Sequence, residues 1–112
     1  MRPDVQWLNV IDVEATCWEG RPPPGQVHEI IEIGLTVVDL TAGKRTGRHR
    51  ILVRPERSAV SGFCTALTGL TQGQVDSGVS FAEACKVLAA QYDAGSRTWA
   101  TVAKTTRGIS RP

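Results

Sequence analysis

The chain has 112 residues and a formal net charge of +2, from 13 basic and 11 acidic side chains. This length is typical of one small domain and argues against a large enzyme core. Hydrophobic residues make up 41% and charged residues 21%, which argues against global disorder. No apolar run is long enough for a signal peptide or a membrane span, so we expect neither secretion nor membrane insertion.

Three cysteines, Cys17, Cys64 and Cys85, lie far apart without the spacing of a zinc site. Their odd number indicates reduced thiols, as in a cytoplasmic protein. Cys17 and Cys64 have no histidine or acid at a spacing that indicates an activated nucleophile. We expect both to be small packing residues.

Three strands are predicted in the first half of the chain. Residues 7–13 form an apolar, β-branched run that ends at a loop rich in proline and glycine, and residues 27–40 form a longer run. A turn over residues 41–44 leads to a returning strand over 48–53. The three predict an antiparallel meander. In the second strand, the two-residue period predicts one apolar face, made of Ile31, Ile33, Leu35 and Val37.

Basic residues are concentrated around the third strand. Between residues 44 and 57 a single acid, Glu56, accompanies six bases: Lys44, Arg45, Arg48, Arg50, Arg54 and Arg57. The hairpin could present a basic binding face or simply a solvated surface, and the sequence leaves both interpretations open.

Short helices are predicted after this hairpin. Residues 63–67 form one helical piece, with Gly69 as its C-terminal stop, and Thr71 with Gln74 resembles a capping box that opens another.

A longer helix follows a second capping box, Ser80 with Glu83, and it ends near residues 94–95. Its apolar positions recur at helical spacing: Phe81, Ala84, Cys85, Leu88 and Tyr92. Residues 97–100, extending towards 102, are predicted to start a parallel strand entered from a helix, as in α/β folds.

The sequence predicts a domain over residues 1–100 and a disordered tail over residues 101–112. The tail has no acid and no periodic apolar pattern, and it holds three of the 13 bases. The first 100 residues therefore carry ten bases and eleven acids. Net charge alone does not indicate a nucleic-acid partner for the domain.

Asp12 and Glu14 are the residues with the clearest chemical potential. Two positions apart on a strand, they project from the same face with their Cα atoms roughly 6.6 Å apart. Paired carboxylates can hold the metal ions that drive phosphodiester hydrolysis. A D-x-E pair alone is also compatible with Asp12 ending the strand and Glu14 facing solvent.

The surroundings of this pair resemble a known family. The segments VIDVEATCWEG, HEIIEIGLTVVDLTAGK and FCTALTGLTQGQVDSG resemble the ERI-like branch of the DEDDh exonucleases in content, order and spacing, over about residues 5–100. The resemblance implies an α/β, RNase H-like fold. It also implies a metal-dependent 3'-5' exonuclease that uses Mg²⁺ or Mn²⁺ to hydrolyse phosphodiester bonds at the 3' end of RNA or single-stranded DNA.

The resemblance also implies roles for individual residues. Asp12 and Glu14 would be catalytic and would bind the metals. Contacts with the terminal nucleotide would come from Ala15, Thr16, Leu67 and Thr68. Local sequence alone favours an ordinary core leucine at Leu67. Trp18 is typical of the ERI-like branch, but it could equally be a loop residue that covers the sheet.

Histidines receive no catalytic role in this interpretation. The family's catalytic histidine comes late in the chain, whereas His28 precedes the second strand and His49 lies on the basic hairpin.

The sequence departs from the family pattern after residue 100. No aspartate follows Asp93, so the second-motif aspartate, the late histidine and the final aspartate are missing. Loss of a general base alone typically slows a reaction about 10²–10⁴-fold. We therefore expect a truncated and impaired exonuclease, with a frameshifted or prematurely ended tail as one hypothesis. The alternatives are an inactive remnant that at most binds nucleic acid, or a fragment without independent function.

Overall fold

A computed structural model describes residues 6–91 and 98–101 of the chain. Four strands form one sheet within these residues: β1 spans Trp7–Ala15, β2 Ile30–Asp39, β3 Lys44–Leu52 and β4 Thr98–Thr101. The strand order is β3-β2-β1-β4, with β1 and β3 antiparallel to β2, and β4 parallel to β1. The predicted meander and the following parallel strand are confirmed. Of the tail predicted over 101–112, Thr101 belongs to β4, and residues 102–112 lie outside the described residues.

The pairing of β1 with β2 becomes irregular where the two strands diverge. β1 continues past its predicted end at residue 13 to Ala15, and β2 begins at Ile30, later than predicted. The register shifts between Glu14 and Ala15, and the Thr16 N–H donates to the Glu29 carbonyl at 2.8 Å. The segment before β2 therefore forms a hydrogen bond with the residue after β1, and it does not continue the regular pairing of the two strands.

Asp39 closes the turn between β2 and β3. Its carboxylate accepts hydrogen bonds from the N–H groups of Thr41 and Ala42, and its carbonyl accepts one from Gly43. This tight turn returns the chain at once, so β3 begins at Lys44, opposite Asp39, and not at the predicted residue 48.

The pleat of β2 separates apolar from polar side chains. The predicted apolar face is confirmed, since its four members are all buried: Ile31, Ile33, Leu35 and Val37. The opposite face carries Glu32, Gly34 and Thr36, which are partly exposed.

Three helices follow β3: α1 spans Gly62–Thr68, α2 Gln72–Asp76 and α3 Phe81–Gln91. Gly69 ends α1 in the left-handed region at φ 81°, as predicted. The capping box of Thr71 and Gln74 is present in both directions. At the start of α3, the Ser80 hydroxyl accepts a hydrogen bond from the Glu83 N–H at 3.1 Å. The predicted end of this helix lies outside the described residues.

Two apolar clusters hold the helices against the sheet. The first joins the loop after β1 to α1 and α2 and consists of Cys17, Ile31, Cys64, Leu70 and Val75. The second consists of Ile33, Val53 and Ala84, with Ile11, Ile51 and Leu88 packed against it. Because Ile11 and Ile33 face away from Asp12 in the pleat, α3 covers the sheet face opposite to the two acids.

The apolar positions of α3 are buried less completely than their spacing predicts. Ala84 is fully buried and Leu88 partly so, but Phe81 is 52% exposed and Cys85 is exposed. The helix thus contacts the core through Ala84 and Leu88, and the side chains of Phe81 and Cys85 lie outside this contact. No helix within the described residues is long and apolar enough to cross a membrane.

Gly78 is required where the loop before α3 crosses the end of β3. A Cβ at this position would overlap the Leu52 carbonyl, and the crossing is fixed by a 3.0 Å hydrogen bond from the Val79 N–H to that same carbonyl. We expect Gly78→Ala to lower the free energy of unfolding by about 1–3 kcal/mol, because the backbone must move apart.

The matched control is Gly73→Ala in α2, where an added Cβ meets nothing within 4 Å. This variant should be neutral or slightly stabilising, since alanine has the higher helix propensity. Urea denaturation of both variants measures the difference, and equal stabilities would contradict the close approach at Gly78.

Candidate metal and nucleotide site

Asp12 and Glu14 lie on one face of β1, as the strand period predicts. In the register with β2, Asp12 stands opposite Gly34 and Glu14 opposite Glu32. Both acids are half-buried, and the Oδ1 atom of Asp12 is shielded from solvent. β2 pairs with the backbone that carries these carboxylates, and β4 pairs with residues 8–11 just before them.

Gly34 keeps the space beside Asp12 open. A Cβ at residue 34 would lie 3.4 Å from the Asp12 carbonyl oxygen and 4.0 Å from the Asp12 Cβ, so a side chain there would occupy the space beside the acid at van der Waals distance. The space belongs to a cleft of about 380 Å³, lined by Asp12, Glu32, Gly34, Arg48, His49 and Arg50. The candidate site is therefore a cleft that crosses three strands.

Glu32 is a third acid at this site, and the sequence interpretation did not include it. It faces Glu14 directly across the strands, an arrangement in which like charges repel. Its carboxylate forms an ion pair with Arg50 of β3, which offsets that repulsion. The strand period indicates which face Glu32 occupies, but only the register between strands shows that it meets Glu14.

The donor atoms at this cleft suit a hard divalent cation. Mg²⁺ and Mn²⁺ prefer carboxylate oxygens and keep several water ligands, and Asp12 and Glu14 present such oxygens side by side. Within residues 6–91 and 98–101, no group of three or more His, Cys, Asp or Glu side chains is arranged to hold a metal ion. The described residues thus offer a carboxylate pair that could supply some of the ligands of a metal ion, but not a complete set.

Thr16 fixes the backbone that follows Asp12 and Glu14 in the chain. Its side chain is fully buried, and its hydroxyl donates to the Val27 carbonyl and accepts from the Glu29 N–H at 2.8 Å. The Ser58 hydroxyl lies 3.0 Å from the same oxygen. The predicted nucleotide contacts Ala15 and Thr16 are therefore part of a fixed turn next to Glu14.

Glu29 joins this turn to the segment that follows β3. Its carboxylate accepts hydrogen bonds from the Ser58 hydroxyl and from the backbone N–H groups of Glu56 and Arg57. Burial alone would raise the pKa of Glu29, but these hydrogen bonds and the charge of Arg57 outweigh it and lower the pKa below the ordinary value of 4.5. The ionised carboxylate is thus a structural clamp.

His28 and Trp18 pack together over the same turn. The Nδ1 atom of His28 lies 2.7 Å from the Thr16 carbonyl, and because a carbonyl only accepts, Nδ1 carries the proton. The His28 and Trp18 rings lie with their centroids 5.2 Å apart at a tilt of 58°. His28 therefore supports the turn structurally, and His49 is exposed on β3 as expected.

Helix α1 is attached to the turn through its first residues. The Ser61 hydroxyl donates to the Cys17 carbonyl at 2.7 Å and accepts from the Cys64 N–H, and the Cys64 Sγ lies 3.5 Å from the Ala15 carbonyl. These contacts place the helix that carries Leu67 and Thr68 beside the residues that follow Glu14.

Leu67 and Thr68 lie in the last turn of α1. Leu67 is partly buried and packs against the first apolar cluster, as expected for a core leucine. The Thr68 hydroxyl donates to the Cys64 carbonyl and accepts from the Leu70 N–H. Both side chains remain partly exposed.

The two buried cysteines behave as packing residues, as predicted. Cys17 is 7% exposed and Cys64 is fully buried. Burial, with further contributions from Cys64 and from the charge of Glu14, raises the pKa of the Cys17 thiol to about 12. Cys17 therefore stays protonated at neutral pH and is a poor nucleophile.

Comparison with known proteins agrees with this geometry. The RNase T exonuclease family model matches residues 9–105. The chain therefore belongs to the exonuclease family, and its sheet is that of an RNase H-like fold. Among solved structures, the nuclease domain of 3'hExo, a DEDDh family member bound to rAMP, superposes with a TM-score of 0.75 at 30% identity, over 98% of this chain and 57% of that chain.

Curated relatives point to the ERI-like branch within this family, as the resemblance predicted. Human 3'-5' exoribonuclease 1 is 41% identical over 81 residues, which cover 71% of this chain and 23% of that protein. The 3'-5' exonuclease Snipper of Drosophila melanogaster is 41% identical over 75 residues, covering 65% and 27% respectively. The chain thus spans about a quarter of the length of these relatives.

The Glu29 clamp makes stability depend on pH. Because the folded pKa lies below the ordinary value, the stabilisation is present above about pH 4.5 and is lost as the pH falls through the folded pKa. We expect Glu29→Gln to lower the free energy of unfolding at pH 7 by about 1–2 kcal/mol, since hydrogen bonds to a charged acceptor are replaced by weaker ones. Urea denaturation between pH 3 and 7 should show this difference shrinking at low pH.

The control for this experiment is Glu56→Gln. The Glu56 side chain is exposed, and only its backbone N–H contacts Glu29. Its substitution should change stability by less than about 0.5 kcal/mol at every pH tested. A deficit of Glu29→Gln that stays constant across this pH range would refute the clamp.

Proposed function

We propose that this protein is a metal-dependent 3'-5' exonuclease that hydrolyses phosphodiester bonds at the 3' end of RNA or single-stranded DNA. The observation that carries the proposal is the pair Asp12 and Glu14, half-buried on one face of β1 and beside an open cleft, in a chain that belongs to the exonuclease family. Carboxylates of this kind bind metal ions, and the ions neutralise the negative charge that develops on the phosphate during phosphodiester hydrolysis.

RNA is the favoured substrate in this proposal. The human relative is named an exoribonuclease, and the similar solved nuclease domain was bound to rAMP, a ribonucleotide. These names describe those proteins, and they support the same preference here. Single-stranded DNA is the alternative substrate.

Asp12 and Glu14 would hold the metal, with Mg²⁺ or Mn²⁺ as the cation. When bound, such an ion supplies a Lewis acid and lowers the pKa of its water ligand. The protein itself positions these groups. The pairing of β1 with β2 fixes the two carboxylates, and Gly34, which has no side chain, leaves room beside Asp12 for the phosphate of the terminal nucleotide.

The terminal nucleotide would lie against Ala15, Leu67 and Thr68, while Thr16, which is fully buried, would hold the turn behind it. Two features support this assignment. The turn that holds Ala15 and Thr16 is anchored by buried hydrogen bonds, and α1 is attached to that turn through Ser61. In this proposal, the partly exposed last turn of the same helix contacts the base and the sugar.

A second candidate is a protein that binds nucleic-acid ends without cleaving them. Its support is that the described residues bring two family acids together, whereas the family name denotes four acids and a histidine. In this case metal would bind weakly at Asp12 and Glu14, and 3' ends would be held but not hydrolysed.

The decisive test is release of nucleotides from a 5'-labelled single-stranded RNA by the purified chain. We expect release that requires Mg²⁺ or Mn²⁺ and stops with a chelator. We also expect Asp12→Asn to slow it at least about a hundredfold, because a metal carboxylate is lost.

Asp76→Asn is the matched control. Asp76 is an exposed residue of α2, whose carboxylate accepts a hydrogen bond from Gln72. Its substitution should leave the rate within about twofold of wild type. Absence of metal-dependent release by the wild-type chain, with RNA binding retained, would favour the second candidate.

A further inference from the structure

Two arginines of the basic hairpin, Arg48 and Arg50, lie on the sheet face that carries Asp12 and Glu14. In the register of β2 with β3, Arg50 stands opposite Gly34 and Arg48 opposite Thr36. Residues directly opposite one another share a sheet face. Because Asp12 is the other neighbour of Gly34, Arg48 and Arg50 extend from the same face as the predicted metal ligand.

The two arginines line a single cleft with Asp12. Its volume is about 380 Å³, with Arg48 and Arg50 on the β3 side and Asp12 on the β1 side. The middle strand contributes Glu32 and Gly34, which has no side chain. The cleft therefore extends from Asp12 to β3.

The two arginines differ in what they contact. Arg50 forms an ion pair with Glu32, so much of its charge is already balanced. Arg48 is exposed and forms no ion pair with the residues that the structure describes. Arg48 therefore offers a guanidinium group to an anion that enters the cleft, and guanidinium pairs well with phosphate oxygens.

Strand spacing determines which phosphate Arg48 can reach. β1 and β3 are separated by two strand spacings, roughly 10 Å. Arg48 is also displaced by two residues along β3 from Arg50, which stands opposite Gly34, so a phosphate beside Asp12 would lie nearer to Arg50 than to Arg48. A single strand that has its 3' end at Asp12 and follows the cleft would carry its next phosphates, on the 5' side of the terminal nucleotide, over β2 towards β3.

We propose that the cleft across β2 and β3 is a backbone track for single-stranded nucleic acid, in which Arg48 binds a phosphate upstream of the 3'-terminal nucleotide. Arg50 gives a weaker contribution because it is shared with Glu32. The track recognises phosphates and not bases, so it is independent of sequence. This inference rests on the proposed function for the direction of the strand, but the binding itself requires no hydrolysis.

The test measures binding of a fluorescent single-stranded RNA of about eight nucleotides, in a chelator so that no cleavage occurs. Affinity is followed by anisotropy over a series of salt concentrations. We expect Arg48→Gln to weaken binding about threefold to tenfold and to reduce the slope of log affinity against log salt by about 0.7, the value for one lost phosphate contact on a single strand. Arg48→Lys should retain most of the slope, since it keeps the charge.

Lys86→Gln is the matched control, because Lys86 is an exposed base on α3, which covers the opposite sheet face. It should leave the salt slope unchanged. AMP, followed by chemical-shift titration, lacks an upstream phosphate, so Arg48→Gln should bind it as the wild type does.

Three results would overturn the track: no RNA binding by the wild type at low salt, equal weakening by Arg48→Gln and Lys86→Gln, or equal loss of AMP and RNA binding in Arg48→Gln. Arg48-dependent RNA binding in a chain that releases no nucleotide with Mg²⁺ or Mn²⁺ would refute the exonuclease proposal alone and leave the track intact.

Discussion

The pleat of β1, held in register by its pairing with β2, is the constraint on which the rest of the site depends. Alternation of side chains sends Asp12 and Glu14 to one face and Ile11 to the other, where it packs near α3. One face is thereby committed to the apolar core and the other is left for charged groups. The same alternation in β2 and β3 brings Glu32 and two arginines to the acid face, so a single register creates both the cleft and its charge pattern.

The hydrogen-bonded turn after Glu14 is the second support of the site. Thr16 is buried within it, Glu29 clamps it to the segment after β3, and Ser61 ties it to α1. Polar groups that are buried with their partners satisfied make a rigid structure. The residues that follow the acids are consequently fixed by hydrogen bonds to three other segments, and binding of a terminal nucleotide beside the acids would require such a fixed backbone.

Features that depend on neighbouring residues could be predicted from the sequence, whereas contacts between distant segments could not. The faces of β1 and β2, the caps of α1 and α2, and the Asp12–Glu14 pair all follow from neighbours along the chain. The position of Glu32 opposite Glu14 could not be predicted, because it depends on strand register. The contact of Ser58 with Thr16 and Glu29 joins segments far apart in sequence. The exposure of Phe81 likewise depends on how closely α3 approaches the sheet, which helical spacing does not determine.

The central claim is that Asp12 and Glu14 form the edge of a divalent metal site. Paramagnetic broadening by Mn²⁺ in an amide-resolved NMR titration tests it most directly, because the effect falls steeply with distance from the ion. Substoichiometric Mn²⁺ should first broaden the amides of residues 12–15 and 32–34, and Asp12→Asn should remove this selectivity. Broadening that begins on α3, or that is uniform along the chain, would contradict the claim.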